Sequence, residues 1–584
     1  MWKEIDTIMA ENSLLVAAID FGTTYSGWAF SFRHEFEREP TKVSAKNWSG
    51  GQLVSLKGPT CVLIKPDGQT FHSFGFEAES KYADLALDEE HESWYFFKRF
   101  KMKLFSEGLG RNLLLEDASG KKLSAKLVFS LSIKHLKDDL LKLSENRISG
   151  GGLRDGDIKW VLTVPAIWND GAKQFMREAA REAGISDDKL TIALEPEAAS
   201  LYCRHLPVEK CGSDKMSLSK FGAGKRYLVL DAGGGTVDIT VHEVMRGGCL
   251  KELHKASGGA WGGTTVDDAF FNFLSKIAGP SVMAKFKDKH MEDFIDLFRD
   301  FEVKKREIRP DKDSKVTFRI PTVFADLVKE VKGETLQDSI SKMAYANQVK
   351  LVGDKLRVEP DIVKSFFEPS INSIMRHVRE LLQKPVNRGV EAIVMVGGFS
   401  ESLLLQHATK GTFSNLRIIV PDEAGLAVLK GAVIFGHQPS VISERVSKYT
   451  YGVDTIQNFI PTRHPIEKQK VVSGVLKCQD IFSIHVKAGE TLVVGEPQTE
   501  QTYTTSTETQ HAMVIDIYAT QQLNPKYTDE PGCHKIGTID VPVSGSGLGR
   551  KVMVKMIFGG TEIEVECTEV ATGKITRTKV DFLT

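Results

Sequence analysis

The run Leu14-Leu15-Val16-Ala17-Ala18-Ile19 is wholly apolar, ends in Asp20-Phe21-Gly22-Thr23-Thr24-Tyr25, and is followed by renewed alternation over residues 28–32. Such a run reads as a buried strand, and the whole as strand, polar turn, strand. The same grammar returns as Tyr227-Leu228-Val229-Leu230, then Asp231-Ala232-Gly233-Gly234-Gly235-Thr236, then residues 237–242. A repeated unit predicts two similar halves with something held between matching turns. A further strand is expected over 158–165 and a helix over 170–183, stopped by Gly184. Another strand, 391–396, runs into Gly397-Gly398, and the small residues of 424–432 predict one closely packed helix. Alternation of strand and helix predicts α/β layers.

After about Gln438 the pattern changes to Val, Ile and Thr at period two, which predicts an antiparallel β-sandwich. Segments 551–558 and 561–568 flank Gly559-Gly560 as a hairpin, with Ile563, Val565 and Cys567 inward and Glu562, Glu564 and Glu566 outward. The glycine-rich stretch 544–549 is expected to join two strands as a loop.

Composition narrows the function classes. A chain of 584 residues is too long for one core, so several domains are expected. Its net charge of -1 provides no basic field for nucleic acid. No apolar run is long enough to predict a membrane span. The first twelve residues lack the basic flank and cleavage site of a secretory signal, so the expected compartment is the cytoplasm, with the nucleus as alternative. The 7 cysteines include no C-x-x-C pair and read as reduced thiols, and nothing near Cys533-His534 completes a metal site.

The turns carry the chemistry. Main-chain N–H groups around Gly22, with the hydroxyls of Thr23 and Thr24, suit phosphate oxygens, and Gly233, Gly234, Gly235 and Thr236 offer the same from the other half. An aspartate opening each turn would repel phosphate unless a divalent cation lay between, so Asp20 and Asp231 imply magnesium. One glycine-rich turn is commonly just a turn; two Asp-x-Gly turns ahead of a strand ending in Gly-Gly are specific. Phe221-Gly222-Ala223-Gly224-Lys225-Arg226 lacks the spacing of a Walker loop and reads as a connector.

Ile19-Asp-Phe-Gly-Thr-Thr-Tyr-Ser26, Val164-Pro-Ala-Ile-Trp-Asn-Asp170, Leu194-Glu-Pro-Glu-Ala-Ala199, Asp231-Ala-Gly-Gly-Gly-Thr236 and Val396-Gly-Gly398 together resemble the seventy-kilodalton heat-shock chaperone (DnaK-like) family over nearly the whole chain. The degree of divergence is most similar to its 12A and 12B branch. The resemblance implies an N-terminal tail over 1–12 and a duplicated, two-lobed actin-like (ribonuclease H-like) ATPase domain over 13–438. A linker over 439–447 and a β-rich substrate-binding domain over 448–584 would follow. It implies a weak magnesium-dependent ATPase that binds ATP or ADP, with potassium as a further ion, and that couples hydrolysis to client polypeptides. J-domain and nucleotide-exchange co-chaperones are the other implied partners.

By the same resemblance, Lys98 is the catalytic lysine, Glu195 holds a magnesium water, and Asp238 is a monovalent-ion ligand. Tyr25, Glu302, Lys305, Arg306, Gly397, Gly398, Phe399 and Asp422 belong to the nucleotide pocket. Tyr503, Met513 and Ile515 match apolar groove residues of the peptide-binding domain, the ordinary alternative being core positions. The sequence also departs from the family. Arg309 replaces a serine, and Glu401 replaces the arginine that stacks on adenine, removing a cation–π contact of about 0.5–2 kcal/mol. The linker reads Ser440-Val-Ile-Ser-Glu-Arg-Val446, where two charges replace leucines, so weaker docking is expected. The chain stops at Thr584 before any helical lid, so lid-trapped peptide release is not expected. These departures support the alternative of a nucleotide-bound scaffold with little turnover.

Overall fold

Strand Leu15–Phe21 is buried along its whole length, and its side chains alternate between two cores. Leu15, Ala17, Ile19 and Phe21 pack with Phe129 and Phe175, while Val16 and Ala18 pack with Val161, Ala198 and Val433. Burial on both faces is why the sequence shows an unbroken apolar run. The computed structural model describes residues 13–50, 53–105, 109–145, 153, 155–206, 218, 221–559 and 562–583. The expected tail over 1–12 and Gly560 of the expected hairpin turn lie outside them.

Leu15–Phe21 pairs antiparallel with Tyr25–Phe32 and parallel with Ile158–Val164, which pairs parallel with Leu190–Leu194. Arg226–Ala232 repeats this arrangement. It is antiparallel to Val237–Val244 and parallel to Val390–Val396, which is parallel to Arg417–Ile419. Two sheets with the same strand order and direction therefore arise from the repeated strand-turn-strand pattern. Asp20 and Asp231 are each the penultimate residue of a strand rather than the first of a turn.

Two helices in matching positions, Glu195–His205 and Ala427–His437, follow the outer strands and share the core between the sheets. A Cβ on Gly431 would lie 1.7 Å from the Ala198 carbonyl oxygen, so this approach requires glycine. The single helix expected over 424–432 is divided, with a 3-10 turn over Ala424–Leu426 preceding the α-helix. The Gly425 amide donates to Glu401 and its carbonyl accepts from Lys57, so neither group serves a helical ladder.

Segment Ile442–Val446, expected as a weakly docked linker, is a strand of the second sheet, parallel to Leu250–Gly259 and antiparallel to Thr491–Val493. Its charges are paired rather than loosening it. Arg445 donates through Nε and Nη2 to both carboxylate oxygens of Glu197, at 2.8 and 2.6 Å, and Glu444 pairs with Lys251 at 2.6 Å. Beyond it, antiparallel sheets of five and four strands share one core, to which Val453, Ile517 and Val541 contribute from the first and Val554, Met556 and Val565 from the second. Strands Lys551–Gly559 and Glu562–Glu569 pair as the hairpin pattern predicted, with Ile563, Val565 and Cys567 buried. The chain then returns to the first half. Leu583 is buried in that core, Arg111 donates to its carbonyl at 2.6 Å, and Asp581 accepts from Arg111 and Gln174 at 2.7 and 2.8 Å. No helix among the described residues is long and apolar enough to cross a membrane.

Candidate functional site

The two glycine-threonine turns face each other across a cleft of about 1270 Å³. They are in contact, since a Cβ on Gly234 would meet Thr24 Oγ1 at 2.0 Å and one on Gly235 would meet Thr23 Oγ1 at 2.7 Å. The carbonyls of Gly233, Gly234 and Gly235 accept from the N–H groups of Gly263, Thr264 and Gly262 at 3.1, 2.8 and 3.1 Å. Thr60 does the same for the other turn, its hydroxyl donating to the Gly22 carbonyl and its N–H to the Thr24 carbonyl, both at 2.8 Å. With those acceptors consumed behind the turns, and among the described residues only the Gly233 N–H and the Thr23 hydroxyl engaged within the protein, by the Thr236 carbonyl and Met102 Sδ, the turns present donors toward an anion. Gly22 itself is required, because a Cβ there would lie 2.1 Å from the Tyr25 carbonyl oxygen.

Four carboxylates, Asp20, Glu195, Asp231 and Asp238, interact around the floor. Asp20 accepts from Thr163 Oγ1 at 3.0 Å and from Lys57 Nζ at 2.6 Å. Glu195 accepts from Lys101 Nζ at 2.7 Å, and this fully buried ammonium lies 5.0 Å from the Trp168 ring centroid. Asp238 Oδ1 accepts from the Ile167 N–H at 2.8 Å, while Oδ2 is buried without a partner. Burial, then the charges of Glu195, Asp238 and Asp20, hold the Asp231 carboxyl well above the usual range. Burial and Glu195 push Asp238 up to about 7, and burial raises Glu195 against the opposing charge of Lys101. Carboxylates outnumber the two ammonium groups by two. That excess suits a cation held through its waters, since among the described residues no three such side chains converge closely enough to hold a metal ion directly.

Lys98 lines the cleft, but its ammonium lies on Glu79 at 2.7 Å, and Glu79 also accepts from Arg299 at 3.3 Å. The lysine on Glu195 is Lys101, three residues further, in the 3-10 segment Phe100–Phe105. The expected nucleotide residues Glu302, Lys305, Arg306, Gly397, Gly398, Phe399 and Asp422 all line the same cleft. Glu302 pairs with Lys305 and Arg306 at 2.6 and 2.7 Å, Lys305 also pairs with Asp267 at 2.7 Å, and the Arg306 guanidinium lies 5.3 Å from the Tyr25 ring. Gly397 has φ +85°, and a Cβ there would lie 2.3 Å from Asp231 Oδ1. Glu401 accepts from the Gly425 N–H at 3.0 Å. Arg309 is exposed beside Asp311.

Of Tyr503, Met513 and Ile515, the last two take the core positions that were the alternative to a groove. Met513 and Ile515 are buried in the shared core because they point inward along Ala512–Thr520, leaving Val514 exposed between them. Tyr503 donates to Ser483 Oγ at 2.8 Å and meets His485 Nε2 at 2.9 Å. Lys57, Thr60, Lys101, Thr163 and the segment 262–264 were not singled out from sequence. For Lys101 one signal existed, a lysine enclosed by Phe100, Met102 and Leu104.

The docked strand caps a titratable group on its neighbour Leu250–Gly259. Glu252 is buried and accepts from the Val446 N–H at 2.8 Å. Burial, aided by Glu197 and opposed by that N–H, Arg445 and Lys173, pushes its carboxyl up to about 7. Its folded pKa exceeds its unfolded one, so this contribution to stability is complete below about pH 4.5 and is lost as pH rises through 7. The rise corresponds to about 3 kcal/mol. Thermal midpoints measured from pH 5 to 8 should fall more steeply for the wild type than for Glu252→Gln; parallel curves would refute this.

Comparison with known proteins identifies the family. A family model described as Hsp70 protein matches residues 96–512. Heat shock 70 kDa protein 12A of Homo sapiens is 36% identical over 630 residues, covering 98% of this chain and 92% of that protein. Heat shock 70 kDa protein 12B of Homo sapiens is 35% identical, covering 97% and 91%. Chaperone protein DnaK of Thermotoga petrophila is 24% identical, covering 84% and 72%. The chain therefore belongs to the Hsp70 family, and within it to the divergent 12A and 12B branch.

Proposed function

We propose that the chain is a chaperone-type, magnesium-dependent ATPase whose two sheets are the lobes of an actin-like nucleotide-binding domain and whose C-terminal sheets form a sandwich for client polypeptides. The observation that carries this reading is the pair of opposed glycine-threonine turns over a floor of buried carboxylates. Magnesium bound there supplies neutralising charge to the phosphates. Asp20, Asp231 and, through water, Glu195 are the residues to hold it, and Asp238 Oδ2 suits a potassium ion. Thr23, Thr24 and Thr236 donate hydroxyls to phosphate, and Lys101 holds Glu195 while bringing positive charge to the transferring group. Client polypeptides and J-domain or nucleotide-exchange proteins are the partners of this reading, and the cytoplasm its compartment.

A scaffold with bound nucleotide and little turnover is the second reading. Glu401 at the adenine side favours it, as does the ion pair of Arg99 with Asp267 among the cleft-lining residues. Titration calorimetry with ATP and magnesium, followed by single-turnover hydrolysis on the same samples, separates the two. Binding with turnover supports the ATPase, binding without turnover supports the scaffold, and no binding sinks both.

A further inference from the structure

Lys57 lies between the short strands Leu53–Ser55 and Gly58–Pro59 and reaches the floor of the cleft over Gly27. A Cβ on Gly27 would meet Lys57 Cγ at 3.0 Å, so the glycine makes room for the lysine stem, and Gly27 is the residue directly opposite Asp20 in the sheet. The ammonium donates to Asp20 Oδ2 at 2.6 Å and to the Gly425 carbonyl at 2.7 Å, with the side chain only 14% exposed. These acceptors belong to different halves of the cleft. A carboxylate oxygen and a carbonyl oxygen are also the kind of ligands a hard metal ion takes. A lysine ammonium has three donors. Two are used here, and the third has no protein partner among the described residues. Lys57 also lines the cleft together with both phosphate-binding turns.

We propose that Lys57 is a resident cation of the phosphate floor, donating its remaining N–H to a nucleoside polyphosphate, so that this chain holds nucleotide without a divalent metal. The inference rests on the reading that the cleft binds nucleotide. It differs from that reading in assigning part of the metal's charge-neutralising role to a side chain. Lys57 reaches the floor from the segment ahead of Gly58, whereas Lys101 sits on Glu195, so the two lysines serve different carboxylates.

The test is ATP affinity by titration calorimetry, in excess magnesium and in EDTA, for wild type, Lys57→Gln and Lys57→Arg. Glutamine keeps a polar donor on the same segment but carries no charge, and arginine keeps the charge. The wild type should bind ATP in EDTA within about tenfold of its magnesium affinity. Lys57→Gln should lose on the order of tenfold to a hundredfold in EDTA, as expected for a hydrogen bond to a charged group, and less than about threefold in magnesium, while Lys57→Arg keeps the metal-free affinity. Equal losses with and without magnesium, or no loss in either, would overturn the proposal. Wild type that binds only with magnesium overturns it and leaves the proposed function standing. Wild type that binds in neither condition removes both.

Discussion

Lys101→Met is expected to slow single-turnover ATP hydrolysis by about 10²–10³, the usual cost of removing a preorganised donor from a site of developing charge, while Lys98→Ala costs less than about tenfold. The reason is position. Lys101 is fully buried, backed by Trp168, and on Glu195 at 2.7 Å. Lys98 is held by Glu79, which also takes Arg299. Lys101→Met also strands Glu195 among buried carboxylates, and breaking a buried pair costs about 3–5 kcal/mol. Adding Glu195→Gln should restore the thermal midpoint without restoring the rate. If Lys98→Ala proves the inactive variant and Lys101→Met turns ATP over normally, the Glu195 geometry has been misjudged, and the assignment implied by family resemblance holds instead.

The second large effect is expected at the docked strand. Arg445→Ala leaves Glu197 buried without its bidentate partner, again at about 3–5 kcal/mol, so residues 442–448 should become susceptible to limited proteolysis while the two-sheet core stays intact. Glu197→Gln with Arg445→Met should recover part of the loss. The contact bears on chemistry as well as stability. Glu197 is two residues from Glu195 on the same helix. Lys448 donates to the Ile167 carbonyl at 2.7 Å, and the Ile167 N–H donates to Asp238. Tyr451 donates to Asp170 at 2.7 Å. Unchanged protease resistance in Arg445→Ala would show that strand pairing alone holds the segment.

The strands and turns were legible because their determinants are local. A strand buried on both faces must be apolar throughout, and a turn that approaches phosphate must be glycine, so residues 14–25 and 227–236 declare themselves. The floor was half legible. Asp20, Glu195, Asp231 and Asp238 sit in motifs, but Lys57, Lys101 and Thr163 gain their meaning only from partners distant in sequence. Glu444 and Arg445 looked like defects for the same reason, since their partners Lys251 and Glu197 lie far upstream. Met513 and Ile515 show a complementary limit. Period-two alternation marks an inward face, but it does not distinguish a closed core from a lined groove.

The return of Leu583 to the first core adds an anchor at 581–583 on the first half, beside the contacts of Lys448, Tyr451 and Glu562 there, to the one at Ile442–Val446 on the second half. A body tethered at one end can swing. A body tethered to both halves that flank the cleft links those halves to one another. Spreading the halves would then load that link, so any opening of the cleft is felt at the C-terminal unit.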